Sequence, residues 1–170
     1  MSQTLEKSLV LLKPDAIDRG LIGEIITRFE RTGLKIAGLK LLWSDKDTAL
    51  KHYTEDLAER RGQHVRDLMI EMITSGPIVA IVVEGVEAVE VVRKMVGETE
   101  PKSAAPGTIR GDYAHLSFKY ADAQKVGVFN LIHASANVEE AEVEIKTWFQ
   151  DFELQDYKPD YTKHTIVEKK

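Results

Sequence analysis

Asn130-Leu131-Ile132-His133-Ala134-Ser135 closes an apolar run on a histidine flanked by small residues. Imidazole is the side chain best suited to act as a nucleophile or an acid–base group near neutral pH. Other residues in the chain are suited to holding phosphate. Lys13 follows Leu9-Val10-Leu11-Leu12; Arg93, Thr99 and Arg110 lie in and around a long polar stretch; Asn130 sits beside His133. Fixed cations and neutral donors of this kind stabilise phosphoryl oxygens. Singly, each has a plainer explanation: a satisfied structural histidine, a solvated strand end at Lys13, an arginine complementing a helix dipole at Arg93. The chemistry depends on whether the fold gathers them.

The elements that must do so read from the apolar spacing. Leu9–Leu12 is a short continuous run, expected as a central strand buried on both faces and stopped by Pro14. Leu21, Ile22, Ile25, Ile26 and Phe29 repeat at helical spacing up to Gly33. Leu34 and Ile36 alternate in one phase and Leu39, Leu41 and Trp43 in the other, which predicts a bulged strand at Gly38. Ser44 is expected to cap a helix carrying Leu50, Tyr53 and Leu57, and a second helix carries Val65, Leu68, Met69, Met72 and Ile73 after Gly62. Ile78–Val83 is a buried strand; Val89, Val92, Met95 and Val96 form a helix closed by Gly97. Residues 98–113 read as a long polar loop, and a loop of that length in a compact domain is commonly functional. The run Val126–Ile132 reads as a strand stopping at His133. Asn137-Val138-Glu139-Glu140 starts a last helix with Val138, Ala141, Ile145, Trp148 and Phe149 inward and Glu144 at the edge of that stripe.

The order is a doubled β-α-β unit, which fits an α+β, ferredoxin-like βαββαβ antiparallel sheet with helices on one face and additional helices and loops. One domain over 1–170 is expected, with residues 149–170 as a tail over the surface. A chain of 170 residues can bury roughly two-thirds of its unfolded surface without staples. The absence of cysteine excludes disulfides, thiolate metal sites and thiol nucleophiles. Met1–Lys7 lacks a signal-peptide core and no run reaches membrane-spanning length, so a cytoplasmic location is expected. A net charge of −5 with no basic face argues against nucleic-acid binding but permits a small anionic ligand. No Gly-x-x-x-x-Gly-Lys-Ser/Thr, Gly-x-Gly-x-x-Gly, Gly-x-Ser-x-Gly or His-Glu-x-x-His is present.

Five short motifs then occur in order: Leu12-Lys13-Pro14-Asp15, Thr74-Ser75-Gly76-Pro77, Gly97-Glu98-Thr99-Glu100-Pro101, Pro106-Gly107-Thr108-Ile109-Arg110-Gly111-Asp112 and the 130–135 stretch. With them the sequence resembles the nucleoside diphosphate kinase family from about Leu9 to Phe149. The resemblance implies that His133 takes the γ-phosphoryl group of a nucleoside triphosphate and passes it to a diphosphate. It implies that Glu144 holds the other ring nitrogen, and that Lys13, Tyr53, Arg93, Thr99, Arg110 and Asn130 contact phosphates and ribose. Mg²⁺ would ride on the phosphates, with no protein metal cage, and the chain would form a hexamer or tetramer.

The sequence departs from the family pattern in several places, including a rearranged Arg60–His64 segment and a different tail. Ala136 stands where aspartate is usual, Val65 where a base-stacking aromatic is usual, and the Asp112–Asn130 connection is longer. Two alternatives remain at this level: a non-catalytic ligand-sensing module on a ferredoxin-like fold, and a histidine phosphocarrier to a protein partner.

Overall fold

The computed structural model describes residues 5–166; both ends of the expected 1–170 domain lie outside them. In chain order the elements are β1 (Leu5–Leu12), α1 (Pro14–Asp18), α2 (Ile22–Arg31), β2 (Lys35–Trp43), α3 (Lys46–His52), α4 (Glu55–Arg61) and α5 (Gln63–Thr74). Then come β3 (Pro77–Val86), α6 (Ala88–Val96), α7 (Ile109–Tyr113), α8 (Phe118–Gln124), β4 (Ile132–Ala134), α9 (Val138–Trp148) and α10 (Thr162–Thr165). The strands form a four-stranded sheet in the order β2-β3-β1-β4. Every pairing in it is antiparallel.

The alternation within β1 explains the layers. Val10 and Leu12 point into one core with Ile25 and Phe29 of α2 and Val92 of α6. Leu9 and Leu11 point into the other, with Ala49 of α3, Ile70 and Ile73 of α5, and Ile145 and Trp148 of α9. The two crossover helices of the βαββαβ unit therefore share one face, as expected, and the additional helices cover the second. That is why Leu9–Leu12 is fully buried and reads as an unbroken apolar run.

Several local expectations change. The bulge in β2 is present as a register shift between Ile36 and Gly38, but Leu39, Leu41 and Trp43 are exposed. The helix after β2 ends at His52. Its cap is Asp45, whose carboxylate accepts from Thr48 N at 2.6 Å, and not Ser44. Tyr53 lies just beyond that helix, and the buried Arg66 of α5 donates to the Tyr53 carbonyl at 2.7 Å, fixing the bend into α4. The 98–113 loop contains a turn of 3-10 helix at Pro101–Ser103 and helix α7. The lengthened connection contains α8, which its mixed polar spacing hid. Val138 is exposed and Phe149 lies past the end of α9. The chain after α9 runs along β2, where Gln155 N donates to Ala37 O at 2.7 Å and Leu154 approaches Gly38.

Candidate functional site

His133 is the middle residue of β4 and not its terminus, because the strand begins only at Ile132. Leu131 has φ of 69°, a left-handed conformation that interrupts the extended run before it. The kink is held at both ends: Lys13 N donates to Leu131 O at 2.8 Å, and Leu131 N donates to Asp15 Oδ2 at 3.0 Å. From there β4 pairs with β1, placing His133 opposite Leu11.

The imidazole is fixed from behind. Glu144 Oε1 accepts from His133 Nε2 at 2.8 Å, and the Ser135 hydroxyl donates to Glu144 Oε2 at 2.6 Å. Ser135 is itself buried and tied to Leu9, whose N–H donates to its hydroxyl at 3.1 Å. With Nε2 as the donor to the carboxylate, the lone pair is on Nδ1, the ring nitrogen then able to act as a nucleophile.

His52 is a member of this cluster that the residue patterns did not single out. Its ring lies edge-on to His133 with centroids 4.4 Å apart. Its Nδ1 accepts from Trp148 Nε1 at 3.3 Å and lies 3.6 Å from Glu144 Oε1. Burial, with smaller contributions from His133 and Lys13, holds its pKa well below the usual imidazole range, so it is neutral at pH 7. Only its position next to Tyr53 offered a signal in the sequence. His52, His133 and Glu144 bring potential ligand atoms within 4.8 Å of one another. His133 Nε2 and the Glu144 carboxylate are already committed to hydrogen bonds, and a nitrogen-rich set is unsuited to Mg²⁺, which prefers oxygen.

The cations are gathered as well. Lys13, expected on plain grounds as a solvated strand end, is 4% exposed and donates to Asn130 Oδ1 at 2.7 Å. Burial lowers its pKa to about 7, with Arg110 lowering it further and Asp15 opposing. Burial raises the pKa of Asp15, against the pull of Lys13. Arg110 donates to three carbonyls: Asn130 at 3.2 Å, Gly97 at 2.8 Å and Ile132 at 2.5 Å. Burial and then Arg93 lower its pKa to about 10, so it stays charged at neutral pH. Gly97 is required here: its φ is +85°, and a Cβ would lie 2.5 Å from Thr108 Oγ1. Asn130 also donates from Nδ2 to Thr99 O at 2.9 Å. The Tyr53 hydroxyl has no hydrogen-bond partner among the described residues, and burial pushes its pKa up, with Glu144 adding to the shift.

Lys13, Tyr53, Arg93, Thr99, Arg110, Asn130, His133 and Glu144 all line one cleft of about 1320 Å³. Arg93 and Thr99 are exposed at its wall. The cleft continues away from His133 to an end between α4/α5 and α8, where Leu57, Val65, Leu68 and Phe118 face it, with Asp56, Arg60, Arg61 and Asp122 of α4 and α8 also lining the cleft. Ala136 lies at the exposed rim, and the cap of α9 is made by Asn137, which accepts from Glu140 N at 2.7 Å.

Comparison with known proteins places this geometry among relatives. The family model described as nucleoside diphosphate kinase matches residues 6–154. The nucleoside diphosphate kinase of Borreliella burgdorferi is 48% identical over 157 residues, which is 92% of this chain and 94% of that protein. That of Pyrococcus furiosus is 51% identical over 153 residues, 90% of this chain and 88% of that one. A solved Borrelia burgdorferi nucleoside diphosphate kinase, a transition-state mimic with bound vanadate and ADP, matches with a TM-score of 0.94 and 47% identity, covering 96% of this chain and 98% of that one. The halophilic enzyme of Halobacterium salinarum in complex with CDP matches at 0.82 and 39%, covering 96% and 99%.

Proposed function

Since the chain belongs to the nucleoside diphosphate kinase family, we propose that it transfers the γ-phosphoryl group between nucleotides in two half-reactions through His133. In the first, Nδ1 attacks the γ-phosphorus and the bond to the β–γ bridging oxygen breaks, so the diphosphate leaves with the electron pair. In the second, a terminal oxygen of another diphosphate attacks the phosphorus and the N–P bond breaks. The observation that carries this reading is the Glu144–His133 hydrogen bond of 2.8 Å, with Ser135 securing the other carboxylate oxygen. It sets the tautomer before attack and offsets the ring charge afterwards.

Charge spreads over three equatorial oxygens in such a transfer, so positioned cations supply most of the stabilisation. Lys13, Arg93 and Arg110 are assigned that work, with Tyr53, Thr99 and Asn130 as neutral donors to phosphate or ribose. Neutral His52 packs edge-on against the ring without adding a second positive charge. The single set of cations must serve donor and acceptor in turn, which favours a covalent intermediate over direct transfer. Mg²⁺ is assigned to the phosphates that Lys13, Arg93 and Arg110 hold, where it would neutralise charge between phosphate groups.

The chain is assigned to act as one kinase domain and to self-associate as a hexamer or tetramer. The exposed apolar row Leu39, Leu41 and Trp43 on edge strand β2 supports an oligomer. No helix among the described residues is long and apolar enough to cross a membrane. A cytoplasmic location, where its nucleotide substrates are, is the compartment proposed. Two-substrate steady-state kinetics on the purified chain test the function. Parallel double-reciprocal lines are expected. Intersecting lines contradict the covalent route, and labelling without discharge to a diphosphate would point instead to a protein phosphocarrier.

A further inference from the structure

The cleft has two ends of different chemistry, and a nucleotide held by its phosphates at Lys13 and Arg110 must direct its base toward the other, where Leu57, Val65, Leu68 and Phe118 gather. The aromatic side chains that line the cleft are His52, Tyr53 and His133 at the phosphate end, and Phe118 at the other. Val65, on the α5 wall, offers an aliphatic surface only. Phe118 belongs to the opposite wall, at the first residue of α8, within the lengthened 112–130 connection.

The placement of this ring is built in. Phe118 N donates to Glu100 Oε1 at 2.9 Å, and Glu100 also accepts from the Ser103 hydroxyl at 2.8 Å. Glu100 follows Thr99, whose carbonyl accepts from Asn130, so the aromatic is linked through one short stretch of chain to the residue that contacts Lys13. The far side of α8 is anchored too: at Gly127 a Cβ would lie 2.8 Å from Met69 Cε, so the returning chain lies directly on α5. Over the ring of Phe118, 5.4 Å from its centroid, lies the guanidinium of Arg61 at the end of α4. A guanidinium is a flat cation that stacks on aromatic faces much as a base does.

We infer that Phe118 is the surface on which the nucleotide base stacks, and that the Arg61 guanidinium occupies that face when no nucleotide is bound. This rests on the proposed nucleotide site, and it assigns the stacking contact to the wall opposite Val65. Stacking on a ring tolerates any base, because each has a π-face.

The test compares binding of ADP with binding of pyrophosphate, which has the phosphates and no base. Phe118→Ala is expected to weaken ADP by about ten- to a hundredfold, the range for loss of one base–aromatic stack, and to leave pyrophosphate within about twofold. Phe118→Leu, which keeps apolar bulk without a π-face, should lose ADP affinity similarly, whereas Phe118→Tyr should retain it. Arg61→Ala should bind ADP as well as or better than the parent. Unchanged ADP affinity in Phe118→Ala, full retention in Phe118→Leu, or an equal loss for pyrophosphate overturns the inference, the last by making the residue structural. Formation of phosphohistidine at saturating ATP is followed in parallel. Its absence in the parent chain counts against the proposed function, whatever Phe118 does for ADP.

Discussion

The phosphate end of the cleft and its base end are made in opposite ways. At the phosphate end Lys13, Arg110 and Asn130 are buried and bonded to one another or to backbone carbonyls of the Gly97 and 130–132 segments. Lys13 follows β1, Asn130 precedes β4 and Arg110 lies on α7, and their bonds tie these segments together, so a small movement would break several at once. At the base end α4 contributes no buried residue, and one cation–aromatic contact spans the gap between Arg61 and Phe118. Transfer chemistry needs fixed charges, whereas accepting many bases needs only a flat apolar surface. The rigid end should therefore respond to single substitutions in rate, and the loose end in affinity.

The largest expected effect sharpens the rigid side of this contrast. Glu144→Gln keeps a hydrogen-bonding side chain of the same shape but removes the charge behind the ring. Phosphoryl transfer should slow by about ten- to a hundredfold with nucleotide affinity nearly unchanged. A single-turnover rate measurement with parallel binding data checks it, and a parent-like rate would mean that Ser135 or His52 holds the ring instead.

A smaller effect follows from Lys13. Its pKa is lowered to about 7, so above neutrality much of the nucleotide-free protein carries it uncharged. Bound phosphates restore the ammonium, and binding must then take up a proton. Nucleotide affinity should be full below about pH 7 and fall as pH rises above it, by up to about tenfold per pH unit for a single linked proton. Titration calorimetry at pH 8 in buffers of different ionisation enthalpy measures the proton directly; no uptake there breaks the account. The same sign applies to the folded chain without ligand. The unfolded state keeps the Lys13 proton up to its ordinary pKa of 10.5, so this group's penalty to stability is full below about pH 7 and is relieved as pH rises.

The smallest expected effect lies at the loose end. Catalytic efficiencies for adenine, guanine and pyrimidine nucleotides should fall within roughly one order of magnitude, about 1.4 kcal/mol. A hundredfold preference for one base would mean that a polar side chain of this end, such as Asp56, Arg60 or Asp122, makes a directional contact that the aromatic face does not.

The same contrast decides what could be read from the sequence. His133, Lys13 and Arg110 stand in short motifs because backbone conformation and side-chain role are fixed together: Gly97 must be glycine for Arg110 to reach its carbonyl. Leu9–Leu12 was legible because two faces of burial leave no polar position in the run. The kink at Leu131 was not, since an apolar run gives no sign of a left-handed residue. It made the run before His133 look like strand where the chain is irregular. His52 was hidden because its partners Trp148 and Glu144 come from α9, far along the chain. Helix α8 was hidden because seven residues with one buried alanine carry no helical stripe.

The central claim is that a covalent phosphoryl group rests on His133 between two uses of one site. Incubating the purified chain with γ-labelled ATP and Mg²⁺, without acceptor, tests it most directly. The account predicts about one phosphate per chain, acid-labile and base-stable, lost on adding a nucleoside diphosphate, and absent in His133→Ala although that variant still binds nucleotide. Labelling or turnover that survives in His133→Ala would contradict it.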